Sequence, residues 1–327
     1  MLPAALPDVS GIKNANELGH ILYDEKRAGG VGWCRLGGLS VDSGSDHLGA
    51  LRFLKDLGFG GDGPKLRPHT VVLDWSAATM CAADGLAFFS VLVRALEEAG
   101  FAIIVCEPSD GDLARALERS GLRHTHGNVV WIPCSRSRPG SAEAMAPAAV
   151  FGGTIGRGNV GQVFRDLDDA LDHAGVEDRQ ACLLSAVATD LVQNVVAHSG
   201  GAPAAAVAVL RTRCRPRVIE FGIADGGVGI ATHLLSQERY GWLLPFTDAT
   251  VTATVFAQAL SGRAADAGGG GLSRLIRRLR DDCGATVVIR SGAGLISLAG
   301  PSSSRCTSNR LSCGWGTQTL VTFRLRA

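Results

Sequence analysis

The 327-residue chain reads as α/β, with an alternating strand and helix unit in its first half and a sheet layered with helices in its second. Three observations lead there. Between about 33 and 134, apolar runs such as TVVLDW and FAIIVCEP alternate with helical runs such as HLGALRFLKDLGF and DGDLARALERSG, the order that builds strand-helix-strand units. The stretch SRSRPGSAEAMAPAA then breaks every period with Pro, Ser and Ala, which marks a linker at 135–149. Beyond it, one long helical run is followed by strand-like runs that end in glycine clusters. The length alone corresponds to about two domains.

Element by element, residues 1–32 form an extension with one short helical run, NANELGHILYDEKR, ending at Gly29 and Gly30. GWCRLGGLSV is a candidate strand, HLGALRFLKDLGF a helix, and TVVLDW a strand after the turn-forming GGDGPKLRP. AADGLAFFSVLVRALEEAG follows as a helix, FAIIVCEP as a buried strand, DGDLARALERSG as a helix closed by Gly, and VVWIPC as the last strand of this half. The basic run RTRCRPR at 211–217 lies between two candidate strands and reads as a hairpin connection on a solvated face. LAGPSSSRCTSNRLSCGW reads as a polar loop before the final alternating strand TLVTFRL.

Composition narrows the function classes. Hydrophobic residues make up 46% of the chain, enough for packed cores, and Lys plus Arg number 32 against 31 Asp plus Glu. A formal charge of +1 supplies no global field to recruit nucleic acid or an anionic membrane, so neither is expected as a partner. The nine cysteines are odd in number and contain no CxxC pair, which points to reduced thiols and a cytoplasmic location rather than a disulfide framework or a zinc site. The N-terminus lacks a basic start and long apolar run, so no signal peptide is expected. No stretch reaches 18 uninterrupted apolar residues, although AAAVAVL after Pro203 is strongly apolar.

The most informative stretch is Leu183 to His198, LLSAVATDLVQNVVAH. Leu184, Val187, Leu191 and Val195 recur at helical spacing on one face, with Ser185, Thr189 and Gln193 opposite. Asp190, Asn194 and His198 follow at i, i+4 and i+8, and Asn194 falls only about 65° from the centre of the apolar stripe. A carboxylate and an amide turned toward a buried face need partners, because each left unpaired costs about 1–3 kcal/mol. Satisfied core polars and a bound polar ligand both answer that need. Downstream, a strand runs into Asp225-Gly226-Gly227-Val228-Gly229-Ile230, Gly268 to Gly271 and Leu272 open LSRLIRRLRDDCG, and Gly316-Thr317 precedes the last strand.

Taken together, residues 150–327 resemble a GHKL-type ATP-binding domain, the Bergerat fold of histidine kinases and anti-sigma-factor kinases. Asp190, Asn194 and His198 match the spacing of that family's first box, and Asp225, Gly227, Gly229 and Ile230 match its DxGxGI box. Gly269, Gly271 and Leu272 match GxGL, and Thr317 sits where the last box has Gly-Thr. The resemblance implies a mixed sheet layered with helices, with ATP and Mg²⁺ as cofactors. Asn194 would hold Mg²⁺, Asp190 would act as the catalytic acid or base, and Asp225 would accept a hydrogen bond from the adenine amino group. Gly227 and Gly229 would let the backbone approach the base, Gly269, Gly270 and Gly271 would offer N–H groups to phosphates, and His198, Leu272 and Thr317 would complete the pocket. Residues 231–267 fall where the family has its mobile lid. Asp190 is one methylene shorter than the family's usual Glu, which implies slow turnover.

Residues 33–134 resemble a STAS domain, the fold of anti-sigma-factor antagonists, most closely along VVLDWSAATMCAADGLAFFSVLVRALEEAGFAIIVCEP. Where that family carries a phosphorylatable hydroxyl, this chain has Ala82, Ala83, Asp84 and Gly85. A methyl group accepts no phosphate, so the loop is not expected to be a phosphoacceptor. Asp84 reads either as a helix N-cap or as an acidic recognition element mimicking a phosphorylated state. No histidine has the helical-hairpin setting of a sensor kinase. The expected function is a cytoplasmic Mg-ATP-binding switch whose nucleotide state controls a regulatory partner, such as a sigma-like factor, an antagonist or another effector, with a homodimer left open. The alternatives are a serine/threonine kinase of anti-sigma type and an ATPase subunit of a larger stress or defence assembly.

Overall fold

The computed structural model describes residues 17–18, 22, 26, 29–36, 45–59, 68–78, 81–119, 129–133, 149–155, 160–173, 175–211, 217–258, 260, 271–299, 303–308 and 315–325. The α/β class holds. In the first half, β1 (Val31–Arg35), β2 (Thr70–Asp74), β3 (Ala102–Cys106) and β4 (Val129–Ile132) lie in chain order in one sheet, every neighbouring pair parallel. The crossings are α1 (Ser45–Asp56), α2 (Ala83–Glu98) and α3 (Gly111–Arg119). Right-handed crossings between sequential parallel strands place all three helices on one face. Leu54, Leu92 and Leu117 accordingly share a core with Val71, Leu73, Ile103 and Val105. The alternate residues Val72, Ile104 and Cys106 point the other way, where Leu18 and Leu22 cover them.

The second half is a seven-stranded sheet built from β5 (Ala149–Thr154), β6 (Ala204–Arg211), β7 (Val218–Asp225), β8 (Thr286–Ser291), β9 (Gly294–Ala299), β10 (Ser303–Ser308) and β11 (Thr317–Arg324), in the order β10-β9-β8-β11-β7-β6-β5. Every pairing in it is antiparallel, which corrects the expected mixed sheet. The reason is β11. Strands β7 and β8 run the same way, but β11 returns between them and pairs antiparallel with both. The polar loop expected before the last strand is also corrected in part, because Ser303–Ser308 forms the edge strand β10 on β9. An edge strand is held through its backbone on one side, so SSRCTS needs no apolar alternation.

Helices α4 (Val160–His173), α5 (Asp178–His198) and α8 (Gly271–Cys283) pack on one face of this sheet, with Leu184, Val187 and Val192 against Ile219, Phe221, Val287 and Val321. By length and composition alone α5 could cross a membrane, yet Leu184, Val187 and Leu191 on its apolar stripe are buried in this core. The opposite face is covered too. Ala205, Val207, Val209, Val288 and Leu320 belong to the same core as α2 and the parallel sheet. This double burial explains why AAAVAVL is apolar at consecutive positions, a pattern of strands covered on both faces. It also explains α2, in which thirteen of sixteen residues are buried because sheets lie on both of its sides.

Candidate functional site

The site is assembled at one end of the seven-stranded sheet. On α5, Asp190, Asn194 and His198 are all half-buried, in line along the helix as their spacing demands. Among the described residues, neither Asp190 nor Asn194 has a side-chain hydrogen-bond partner. A carboxylate and an amide turned together from a core helix without internal partners leave their hydrogen-bonding capacity for water, a metal or a ligand. His198 stacks obliquely on His233 of α6 (Ile230–Leu235), with ring centroids 4.3 Å apart. His233 belongs to no motif, so sequence reasoning did not select it.

Asp225, Thr317 and Ser291 form one row across three strands: Thr317 lies opposite Asp225 of β7 on one side and opposite Ser291 of β8 on the other. By the period of two, all three point to the face that carries α5. The Asp225 Oδ1 accepts the Gly227 N–H at 2.9 Å, and the Ser291 Oγ accepts the Ile230 N–H at 2.6 Å. These two bonds hold the Asp225-to-Ile230 turn between β7 and β8. Burial pushes the Asp225 carboxyl up to about 6, against the opposing pull of the Gly227 N–H, the Arg290 charge and the Thr317 N–H. A carboxyl raised this far at a sheet end beside a glycine turn marks a candidate functional site.

The glycines here are constrained by space. A Cβ on Gly227 would lie 3.0 Å from Ser199 Cα and 2.9 Å from Asp225 Oδ1, so this glycine brings the turn against the end of α5. Gly229 has φ +81° and a Cβ there would meet the Ser291 Oγ at 2.9 Å. Gly316, at φ +73°, donates its N–H to the Gly227 carbonyl at 2.7 Å, tying the last box to the first glycine box. Gly271 opens α8, which packs beside α5. Leu272 is its second residue, while Gly269 and Gly270 lie outside the described residues.

The segment expected as a lid contains α6, a 3₁₀ turn at Glu238–Leu243 and α7 (Asp248–Gln258) as far as 258. Ala231, Leu234, Tyr240, Leu243 and Val251 give it a small core of its own. Val228, Trp242, Leu244 and Phe246 stay exposed around it.

Two expectations about charged residues are corrected. Asp84 is not the N-cap of α2: Ala82 occupies that position with no side-chain cap, and Asp84 is buried in the first turn. Arg211, expected on a solvated face, is 3% exposed and pairs with Glu220 through Nε to Oε1 at 2.7 Å and Nη2 to Oε2 at 2.8 Å. Both corrections have one cause, the contact of α2 with this sheet. Residues 212–216 of the basic run lie outside the described residues.

The residues present fit an adenine nucleotide with a divalent cation. A glycine turn lies beside the half-buried Asp225 carboxylate, and the unpartnered amide of Asn194 projects from the adjoining helix. Among the described residues no group of three or more His, Cys, Asp or Glu side chains is placed to hold a metal. Comparison with protein-family models and with curated proteins returns no match.

Proposed function

We propose that the chain is a cytoplasmic Mg-ATP-binding regulatory protein, in which the seven-stranded unit is a slow ATPase and nucleotide switch that controls partner binding by the first half. The observation that carries this reading is the close approach of the Gly227–Gly229 turn, beside Asp225 and Thr317, to Ser199 at the end of α5, the helix that carries Asp190, Asn194 and His198 on one side. Asp225 would receive the adenine amino group. Asn194 would hold Mg²⁺, which supplies charge neutralisation at the phosphates when bound. Asp190, one turn earlier on α5, would orient or deprotonate the attacking water. Gly271 at the start of α8, with Gly269 and Gly270 before it, would offer backbone N–H groups to the phosphates.

Equilibrium binding of ATP and GTP to the full chain, each with and without Mg²⁺, tests the reading. ATP bound in preference to GTP, more tightly with Mg²⁺, is expected. Equal affinity for both bases would remove Asp225 as the base reader, and no affinity for either would remove the reading itself. Transfer of the terminal phosphate to a second protein would make the chain a serine/threonine kinase instead of a switch.

A further inference from the structure

Neighbouring residues of three strands face opposite sides of the seven-stranded sheet at the same level. Ser291 and Thr317 share a row with Asp225 and face α5, while Arg290 and Gln318, next to them in sequence, face α2. Gln318 is fully buried and donates from Nε2 to Asp84 Oδ2 at 2.8 Å and to the Asp84 carbonyl at 3.3 Å. Its Oε1 accepts from Arg290 Nε at 3.4 Å. The Arg290 guanidinium lies over the Phe88 ring of α2, 6.0 Å from its centroid, and donates to the Trp315 carbonyl from Nη1 at 3.3 Å and Nη2 at 3.4 Å. Asp84 is 0% and Arg290 5% exposed, so this chain of groups runs through a water-excluded layer. An amide held between a carboxylate and a guanidinium is polarised by both, and its two bonds strengthen each other.

We propose that Arg290 and Gln318 are positioning residues that connect Asp84 of the first half to Asp225 across the sheet, so that the contact at position 84 sets the charge state of the candidate adenine acceptor. The functional consequence rests on the nucleotide reading; the connection itself does not. Arg290 favours the ionised Asp225 carboxyl. The Asp84 carboxylate, bridged to Arg290 by Gln318, draws on the same positive charge. Inside a sheet the low dielectric keeps such a competition from being screened away. Neutralising Asp84 therefore leaves more of the Arg290 field for Asp225, and removing Arg290 leaves none. The other titratable side chains on the elements around this end include His198 and Asp190 on α5, His233 on α6 and Asp248 of α7, whose Oδ2 accepts the Ala293 N–H at 2.9 Å, and all stay unchanged in the variants below.

The test is a carbon-13 carboxyl titration of Asp225 in the full chain, assigned with Asp225→Asn, for the native protein, Asp84→Asn and Arg290→Met. It is paired with MgATP affinity measured across the same pH range. The Asp225 midpoint is expected to move down in Asp84→Asn and up in Arg290→Met, with the acid limb of MgATP binding following in each case. A midpoint that stays in place in both variants, or moves the same way in both, overturns the connection, because loosened packing alone has no reason to produce opposite signs. If Arg290→Met does not fold, Asp84→Asn decides alone, since it keeps the shape of the side chain and its acceptor for Gln318. Opposite midpoint shifts without any MgATP binding would support the connection while overturning the nucleotide reading.

Discussion

At the scale of single residues, Asp225 carries the sharpest consequences. Its carboxyl is raised from 3.8 to about 6, chiefly by burial, and the ionised form is the stronger acceptor for an adenine amino group. ATP affinity is therefore expected to be flat above neutral pH and to weaken as pH falls through about 6. The stability effect has the opposite sense. A folded-state value above the unfolded one contributes stability that is fully present below the unfolded value and is lost as pH rises through about 6. At neutral pH the ionised Asp225 is thus a cost of at most about 3 kcal/mol, less for the part of the side chain that water reaches. Asp225→Asn, which keeps an oxygen for the Gly227 N–H, is expected to raise the melting temperature at pH 7.5 while weakening ATP binding, and thermal melts checked against calorimetry will show whether the two effects separate. Asp190 predicts a rate. Asp190→Asn is expected to lower steady-state hydrolysis with ATP binding nearly intact, and Asp190→Glu to raise it; native turnover in Asp190→Asn would make Asp190 structural. Asp190, Asn194, His198 and Asp225 were legible because each belongs to a local spacing or a glycine motif. Ser291, Arg290 and Gln318 were not, because each is a lone polar residue in a strand whose meaning comes from partners 25 to 234 positions away.

At the scale of elements, the contact of α2 with β7 decides how the halves fit. Helix α2 has no side-chain cap of its own, and the Glu220 Oε2 of β7 accepts the Ala83 N–H at 3.2 Å, a cap supplied from 137 residues away. Arg211 holds Glu220 in place and donates from Nη2 to the Cys81 carbonyl at 2.8 Å. Gly222 has no side chain where one would overlap the backbone of Ala83 and Asp84. Glu220→Ala leaves the buried Arg211 guanidinium without this carboxylate and uncaps α2, so a loss of about 3–5 kcal/mol in denaturant unfolding is expected. Gly222→Ala pushes against backbone that cannot rotate away, for a loss of about 3 kcal/mol. Substitution of Val228, exposed on the glycine turn, by Ser supplies the near-neutral control. The helices and most strands were legible from period and turn residues, and β10 was not, because an edge strand pairs through its backbone. The cap on α2 was illegible for a related reason: capping rules read neighbours in sequence, and this acceptor arrives through tertiary packing.

At the scale of the whole molecule, the helices of the first half lie between two sheets and share a core with both. Cutting the chain at the linker would expose Ala205, Val207, Val209 and Leu320 together with the Arg211–Glu220 pair. A fragment of residues 150–327 is therefore expected to aggregate, and the full chain to unfold in one transition whose calorimetric and van't Hoff enthalpies agree. Two separate transitions would show that the halves are independent. The strand and helix alternation of each half could be read from sequence, whereas their joining could not, since Arg211 and Asp84 carry charges that sequence reasoning assigns to water or to local caps. Under the proposed function, the joining would supply the route by which a nucleotide at one face of the sheet is felt at the other. The measurement that tests the central claim most directly is titration calorimetry of ATP into the full chain with and without Mg²⁺, beside Asn194→Ala and Asp225→Asn. Expected are Mg²⁺-enhanced ATP binding in the native protein, loss of the Mg²⁺ enhancement in Asn194→Ala, and a fall in affinity in Asp225→Asn with or without the metal. ATP affinity unchanged in both variants would contradict the assignment of this sheet end as a nucleotide site.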